Sequence, residues 1–467
     1  MDGRREDTPQ ETAPHGAAPY RTAGRTVPEP GTVPDRTAGT AAHEAGTPYG
    51  TAAREAAAPY GTGVAVREAG PGDAVSGIRP RWVALPESTA EVAALLRHAA
   101  AHDLAVVPVG GGTKPHRGLP PERCDLVVGT GRLDGVPEHA AGDLIVRVMA
   151  GTTMGTLAAV LAERGQRLCL DVPDGDATVG GTLATAEAGP LRFRYGTARD
   201  LLIGVTVVLA DGTVAKSGGK VVKNVAGYDL GKLFTGSHGT LGVITEAVFR
   251  LNPVPPVRRW VVAEPSASGS PSGSPEGSLD ALAGLLAASP AEPSAIEADL
   301  PGPGRGPSLA VLVEGTAAEE RARAVRDLLD GHGPARITDE APAWWGVPPG
   351  EETLLELRFP PGRAGGALRA VAAGVLPARV RGSVASGVLR AGLPSGVAPP
   401  EFAGFVTSVR DGLAALGGRL TVVAAPPALM TAVDPWGPVS ALPLMRRVRE
   451  RLDPGHRMSP GRLPGGI

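Results

Sequence analysis

The spacing of apolar residues predicts a mixture of strands and helices in the chain beyond residue 78. The short apolar run Trp82–Leu85 is typical of a strand, and Ser88 with Glu91 forms a capping-box pattern before a helix with apolar residues at helical spacing. A second apolar run, 104–109, ends in three glycines. The stretch "DLLIGVTVVLADGTVAKSGG" predicts a hairpin that turns at Asp211-Gly212. This part lacks the strict strand–helix alternation of a Rossmann sheet, so it predicts an α+β fold.

Two biased segments interrupt this pattern. Residues 1–75 consist mainly of Ala, Gly, Thr, Pro, Glu and Arg, and we expect a disordered tail because little of it can be buried. Residues 265–278 are rich in Gly, Ser and Pro and predict a loop. Strand-like and helix-like pieces follow that loop and predict a smaller antiparallel α+β domain, and an amphipathic helix and a Pro/Gly-rich tail end the chain.

Composition excludes several classes of function. The net charge of −2 and the isoelectric point near 6.5 give no basic surface for nucleic acid or an acidic membrane, and 3% aromatic residues provide no platform for base stacking. The chain has 2 cysteines, Cys124 and Cys169, too few for a four-cysteine iron–sulfur or zinc site. No apolar run approaches the roughly 18–20 residues of a membrane span. We therefore expect a cytoplasmic protein that does not span a membrane.

Glycine clusters at strand ends carry the candidate chemistry. "PVGGGTK" (108–114) follows an apolar strand, and a glycine run there allows backbone N–H groups to approach an anion closely. "DATVGGT" (176–182) again places small residues and hydroxyls beside two glycines, and "GSHGTLGVIT" (236–245) has three glycines at three-residue spacing. Each cluster taken alone is also compatible with a structural turn. Arg199-Asp200 has two open interpretations, a surface ion pair or part of the same site.

Taken in order, these clusters resemble the FAD-binding domain of the vanillyl-alcohol oxidase / p-cresol methylhydroxylase (PCMH-type) family. The matching stretches are "PVGGGT", "ATVGGTLA", "YGTARD", "GGKVVKNVAGYDLGKL" and "GSHGTLGVITE", and "LDPGHRMSPGR" resembles the family's closing motif. "VVKNVAGYDLGKL" is similar to the smaller flavin-binding subunits of three-subunit bacterial glycolate oxidases. The resemblance implies a two-lobed α+β FAD domain at 76–256, a cap domain at 257–430, and a segment, 431–467, that returns to the FAD domain.

The resemblance also implies site residues and a mode of binding. The first two glycine loops would bind the FAD pyrophosphate, the third would line the adenosine or the isoalloxazine, and the "YGTARD" residues would join them. The first loop has Thr113-Lys114 where covalent family members often carry a histidine, which implies non-covalent FAD. The full set is Gly110, Gly111, Gly112, Thr113, Thr178, Val179, Gly180, Gly181, Tyr195, Gly196, Arg199, Asp200, Gly236, Gly239, Leu241, Gly242 and Ile244.

The catalytic base stays unassigned. The cap lacks the H-x-G-D-G type motif of the D-lactate and glycolate dehydrogenases and has only His332, while His238 is a weaker candidate in the third glycine loop. Lys223, Asn224, Tyr228, Asp229 and Lys232 lie in the stretch expected at the edge of the flavin site, with two open roles, flavin contact or orientation of the turn.

Three hypotheses of function follow. The first is an FAD-dependent oxidoreductase for a small 2-hydroxy acid, including an accessory flavin subunit whose partners are a second flavin subunit and an iron–sulfur subunit. The second is a stand-alone oxidase or dehydrogenase for another alcohol. The third is a non-catalytic nucleotide-binding scaffold, which the intact glycine loops argue against. The visible spectrum of the purified protein separates the third hypothesis from the other two.

Overall fold

A computed structural model describes residues 63–219, 229–264, 275–303, 305–330, 333–350 and 352–467. No helix among these residues is long and apolar enough to cross a membrane. The strands are β1 (Ala65–Glu68), β2 (Trp82–Leu85), β3 (Val106–Val109), β4 (Leu126–Gly129), β5 (Glu138–Ala140), β6 (Ile145–Met149), β7 (Gln166–Arg167), β8 (Leu202–Val208), β9 (Val214–Gly218), β10 (Val243–Arg250), β11 (Asn252–Pro253), β12 (Arg258–Ala263), β13 (Ala295–Leu300), β14 (Ser308–Glu314), β15 (Ala335–Thr338), β16 (Leu354–Arg358), β17 (Arg379–Ser383), β18 (Val388–Gly392) and β19 (Arg419–Ala424).

The helices connect and cover these strands. They are α1 (Thr89–Ala101), α2 (Met154–Ala162), α3 (Val179–Ala184), α4 (Arg192–Tyr195), α5 (Ala198–Leu201), α6 (Leu230–Phe234), α7 (Pro275–Ala287), α8 (Ala318–Asp330), α9 (Ala364–Ala372), α10 (Pro399–Ala414), α11 (Pro427–Met430) and α12 (Leu442–Leu452). The predicted α+β class is confirmed.

The first sheet has the order β1-β2-β4-β3, with β2, β4 and β3 parallel and β1 antiparallel at one edge. Helix α1 begins where the capping pattern predicts it, because the Ser88 side chain accepts a hydrogen bond from the Glu91 N–H. Strand β1 corrects one boundary: the predicted tail 1–75 includes residues that pair with β2 and bury Val64 and Val66. Two valines are enough here because the partner strand, not local composition, orders the segment.

The second sheet is antiparallel, with the order β5-β6-β10-β8-β9. Its β8–β9 pair is the predicted hairpin, and Gly212 turns it with a φ of +81°. The first and second sheets are the two lobes that carry the glycine loops.

The third sheet, called the large sheet below, has eight antiparallel strands in the order β15-β12-β14-β13-β17-β18-β16-β19. Alternate residues of each strand face helices α7–α10 and fill one apolar core, including Val311, Leu355 and Phe405. The opposite face packs against the second sheet and is called the inner face. Near β12–β14 the inner face is apolar and its residues Trp260 and Leu312 join the core of the second sheet.

Two segments link or extend this arrangement. The predicted loop 265–278 overlaps helix α7, which begins at Pro275 because proline is well accommodated in the first turn of a helix; residues 265–274 lie outside the described part. After α12 the chain reaches the first sheet, where the Ser459 N–H donates to the Val106 carbonyl at 2.8 Å. The last residues therefore lie beside the first glycine loop.

Candidate functional site

Ten of the predicted site residues surround one open cleft. The cleft lies between the first sheet, the second sheet and the C-terminal segment. The predicted residues in its wall are Gly110, Gly111, Gly112, Thr113, Thr178, Gly180, Gly181, Gly239, Gly242 and Ile244.

The first glycine loop leaves β3 and presents unpaired backbone donors. Among the described residues, the N–H groups of Gly111, Gly112 and Thr113 donate to no protein acceptor. A side chain does not fit here, because a Cβ on Gly111 would lie 2.5 Å from the Asp176 carbonyl oxygen and one on Gly110 would overlap the Thr178 hydroxyl. A run of free amides at a cleft is an anion-binding arrangement.

The second glycine loop supports the first. Thr178 caps helix α3 by accepting a hydrogen bond from the Gly181 N–H at 3.2 Å, and the Val179 and Gly180 N–H groups donate to the Thr152 and Ala150 carbonyls. Most of these donors are thus used within the protein. The second loop therefore packs against the first loop and shapes the cleft, and it offers few free amides to a ligand.

The third wall is the turn that leads into β10. Gly239 has a φ of +76° and Gly242 a φ of +147°, and a Cβ on Gly242 would lie 2.5 Å from the Val208 carbonyl oxygen. Ile244 follows in the strand and contributes an apolar side chain to the cleft wall. Gly239 and Gly242 thus line the cleft, but the turn does not expose consecutive amides, because the N–H groups of Gly236, Ser237, His238 and Thr240 donate to backbone carbonyls.

Positive charge lines the cleft beside the free amides. The Lys114 ammonium lies 2.6 Å from the buried Glu187 carboxylate, which Arg117 also contacts at 3.0 Å. Although burial acts to raise it, the pKa of Glu187 is lowered by the two cations. Arg462, from the C-terminal segment, donates to the Pro115 and Arg117 carbonyls, and burial lowers its pKa to about 10. Lys114 and Arg462 therefore bring two positive charges to the cleft wall, and the Glu187 carboxylate offsets part of that charge.

His238 also lines the cleft, in a left-handed conformation with a φ of +52°. Its ring packs edge-to-face on Trp436 at a centroid distance of 5.7 Å. Burial, and then the nearby charges of Arg462 and Arg117, lower its pKa to about 3. The imidazole is therefore neutral at neutral pH and is a weak proton acceptor in this environment.

Seven predicted residues lie outside the cleft wall. Val179 and Leu241 are buried in the core, and Gly236 ties the third turn to α3 through its N–H. Arg199 and Asp200 are exposed, and Asp200 with Thr197 caps helix α5 beyond Gly196. Tyr195 contacts Arg167 and Glu314, which joins β7 to the large sheet.

Some residues predicted near the site lie outside the described part of the chain, and some residues of the cleft wall were not predicted. Lys223, Asn224, Tyr228 and His332 lie outside the described residues, while Asp229 caps α6 and pairs with Lys232 at the surface. The unexpected cleft residues include Lys114, Thr130, Thr185 and Arg462. Lys114 directly follows the first glycine loop, a signal that could have been used; Arg462 lies 347 residues from its partner Pro115 and gives no local signal.

The cleft fits a dinucleotide that carries a pyrophosphate. Free amides and two cations at one position suit the anion, and the apolar wall with Ile244 suits a ring. The two smaller sheets around the cleft and the antiparallel large sheet form an α+β fold of the PCMH type. Residues 80–218 match the family described as "FAD binding domain", and this part of the chain is a PCMH-type FAD-binding domain.

Relatives and solved structures agree with that assignment. The chain is similar to glycolate oxidase subunit GlcD of Bacillus subtilis, 35% identical over 39% of this chain and 39% of the relative. It is also similar to a D-2-hydroxyglutarate dehydrogenase of Xanthomonas citri, 36% identical over 40% of each chain, and a probable mitochondrial D-lactate dehydrogenase of Danio rerio, 37% identical over 41% of this chain and 40% of the relative. The chain thus covers about two fifths of the length of these relatives.

Likeness to solved structures extends over more of the chain. A p-cresol methylhydroxylase superposes with a TM-score of 0.62 at 18% identity, covering 82% of this chain and 88% of that one. An alkyldihydroxyacetonephosphate synthase also gives a TM-score of 0.62 at 18% identity, covering 82% and 78%. At this identity the likeness shows the fold alone, and it includes the large sheet.

Proposed function

We propose that this chain is an FAD-dependent oxidoreductase that oxidises a small 2-hydroxy acid, with the FAD held non-covalently. The observation that carries the proposal is the first glycine loop, where three amides without protein acceptors face a cleft beside Lys114 and Arg462. The names of the relatives add the substrate class, because they act on glycolate, D-lactate or D-2-hydroxyglutarate.

The protein's part in the reaction would be binding and orientation. A bound flavin supplies a two-electron acceptor for the substrate's hydride. The amides of Gly111 to Thr113 would hold the pyrophosphate, and Lys114 and Arg462 would balance its charge. Leucine, valine and isoleucine side chains around Ile244 would exclude water from the ring. The domain assignment proposed is FAD binding by a domain that extends from β1 to residue 256, a cap at 257–430 and a supporting segment at 431–467.

The electrons would leave through a partner. Cys124 and Cys169, both free and buried, cannot build a cluster, so the proposed acceptors are a second flavin subunit and an iron–sulfur subunit in a cytoplasmic glycolate-oxidase-like complex. A stand-alone enzyme would instead pass electrons to a small acceptor. Co-purification of the tagged chain from its own host, followed by iron analysis of the eluate, separates these versions.

The visible spectrum tests the proposal directly. The purified protein should show the two absorption bands of an oxidised flavin, and acid precipitation should release FAD into the supernatant. Anaerobic addition of glycolate, D-lactate or D-2-hydroxyglutarate should bleach the flavin. A colourless protein that does not recover the bands with added FAD would refute the flavoprotein assignment, and a coloured protein that none of the three acids reduces would refute the substrate class.

A further inference from the structure

A second cluster of charged residues lies outside the cleft wall, where α4 packs against β13 of the large sheet. The inner face is polar here, unlike its apolar part at β12 and β14. Glu297 of β13 and Arg390 of β18 face α4, whose first residue is Arg192. We call this cluster the seam site.

Arg192 is a partly buried cation without an acidic partner. Its guanidinium donates to the backbone carbonyls of Gly189, at 3.1 Å, and Ala188. Among the described residues no carboxylate lies within 4.0 Å of it. Burial and the positive charge of Arg390 lower its pKa. Since a buried cation is costly unless it is paired, Arg192 is suited to an anion from outside the chain.

The neighbouring acids are already engaged, with one exception. Glu356 lies 2.7 Å from Arg358 and 3.9 Å from Arg390, and Asp171 accepts a hydrogen bond from the Leu191 N–H at 3.0 Å. Glu297 is the exception: it is 5% exposed and its Oε1 has no hydrogen-bond partner. Burial raises the pKa of Glu297 to about 8. The seam site thus holds a cation with no carboxylate within 4.0 Å among the described residues, beside a buried carboxyl whose Oε1 has no hydrogen-bond partner.

The seam site is connected to the cleft through one ion-paired group. Arg390 is close enough to Glu187 to lower the pKa of that carboxyl, and Glu187 contacts the cleft residue Lys114. The charge of Arg390 thus acts both on Glu187 at the cleft wall and on Glu297 in the seam site.

We propose that the seam site binds the hydroxy acid, with Arg192 holding its carboxylate and Glu297 accepting its hydroxyl proton. This inference rests on the proposed function. In the oxidation, the substrate C–H bond would break with loss of a hydride, and a bound FAD would supply the acceptor for that hydride and its two electrons. The O–H bond breaks and its proton passes to the ionised Glu297 carboxylate, while the C–O bond becomes a carbonyl. Glu297 would thus supply the base that the sequence analysis did not find.

The pH dependence follows from the groups that face Glu297. These are Arg192 and Asp171 from the FAD-binding part, and Arg390 and Ser383 from the large sheet. Because Glu297 must be ionised to accept a proton, and its pKa is raised, the rate of flavin reduction should rise with pH and level off above about 8.

Anion binding tests Arg192 without turnover. Oxalate, which cannot be oxidised in this way, should bind the FAD-loaded protein by calorimetry, and Arg192→Gln should weaken binding by about 10- to 100-fold. The matched control is Arg194→Gln, two residues away, since Arg194 is exposed and pairs with Glu292 at the surface. Equal oxalate affinity in Arg192→Gln and the unaltered protein would overturn the proposal. If Arg192→Gln does not fold, Arg192→Lys should still bind oxalate, but more weakly; unchanged affinity there would also overturn it.

Flavin reduction tests Glu297. Glu297→Gln should keep its FAD and bind oxalate within about threefold of the unaltered protein, yet reduce its flavin at least about 100-fold more slowly with the acid that bleaches the unaltered protein. Glu292→Gln, an exposed carboxyl in the same region, should reduce normally. A rate of flavin reduction in Glu297→Gln equal to that in Glu292→Gln would overturn the proposal. If Glu297→Gln loses its flavin, the unaltered protein decides instead: a rate of flavin reduction that does not depend on pH would overturn the proposal. Absence of FAD, or of reduction by all three acids, would instead refute the proposed function.

Discussion

Replacing Glu314 by glutamine should weaken the attachment of the large sheet to the rest of the protein. Glu314 lies on β14 and accepts two hydrogen bonds of 2.8 Å from Arg167 of β7, in a bidentate pair with only 4% of its side chain exposed. The Tyr195 hydroxyl adds a contact to the same carboxylate at 3.3 Å. Glutamine keeps the shape of the side chain but leaves the Arg167 guanidinium without a counter-charge.

The expected cost is set by that unpaired cation. Removing one partner of a buried ion pair costs about 3–5 kcal/mol, and the lower end applies because 17% of the Arg167 side chain is exposed. At about 2–4 °C per kcal/mol, the unfolding midpoint should fall by about 6–12 °C. The nearby cations, led by Arg167, hold the pKa of Glu314 below its usual value. This stabilisation is therefore present above pH 4.5 and is lost as the pH falls through the folded-state pKa.

Thermal and urea unfolding measure the effect, with two controls. Glu292→Gln breaks an exposed pair with Arg194 and should cost less than about 1 kcal/mol. Glu314→Leu combined with Arg167→Met removes both charges, and should be about neutral because an apolar pair of similar size leaves nothing unpaired. If Glu314→Gln costs no more than Glu292→Gln, the buried pair does not hold the large sheet in place.

Three further predictions concern the cleft. Gly111→Ala should lower the unfolding free energy by about 1–3 kcal/mol and reduce FAD retention, since its Cβ would lie 2.5 Å from a carbonyl oxygen; Gly131→Ala, with open space around it, should leave both measurements unchanged. Glu187→Gln should cost about 3 kcal/mol at pH 7 in urea unfolding, because Lys114 loses its partner; the difference from the unaltered protein should shrink below pH 4.5, where a carboxyl of lowered pKa loses its contribution, and a constant difference would contradict this. His238 has a pKa lowered from 6.5 to about 3, so the unfolded state takes up its proton first and stability falls as the pH drops below 6.5; His238→Gln should flatten that part of the curve of unfolding free energy against pH, and parallel curves would show that the imidazole titrates normally.

Much of the fold and the glycine loops of the cleft could be predicted from short local patterns in the sequence. The glycines at 110–112 and 239–242 are recognisable because each follows or precedes an apolar strand, and a glycine run in that position has few other uses. The hairpin at Asp211-Gly212 and the helix cap at Ser88 are also decided within a few residues. Strand β1 escaped prediction because two valines order only through their partner strand.

Contacts between distant residues could not be predicted in this way. Tyr195 was expected at the cofactor, but its hydroxyl contacts Glu314, 119 residues further along the chain. Arg199 and Asp200 belong to the same YGTARD motif as Tyr195, yet their charges lie at the surface. Asp200 caps the short helix α5 there, a role that needs no ligand. Glu187 and Arg462 gave no signal, because a lone charged residue becomes part of a site only through partners that the fold supplies.

The inner face of the large sheet has two parts: one packs against the second sheet, and the other carries charged residues. At β12 and β14, Trp260 and Leu312 pack in the core of the second sheet, and the Arg167–Glu314 ion pair links β7 to β14. A few strands away the same face carries Glu297, Arg390 and Glu356, and charged groups cannot close against another surface without partners or water. These charged residues cannot turn to the other face of the sheet, since the alternate residues of the same strands fill the helix-covered core. The part of the inner face that packs against α4 is therefore charged, and this is where we propose that a small anion binds, while the part at β12 and β14 is apolar.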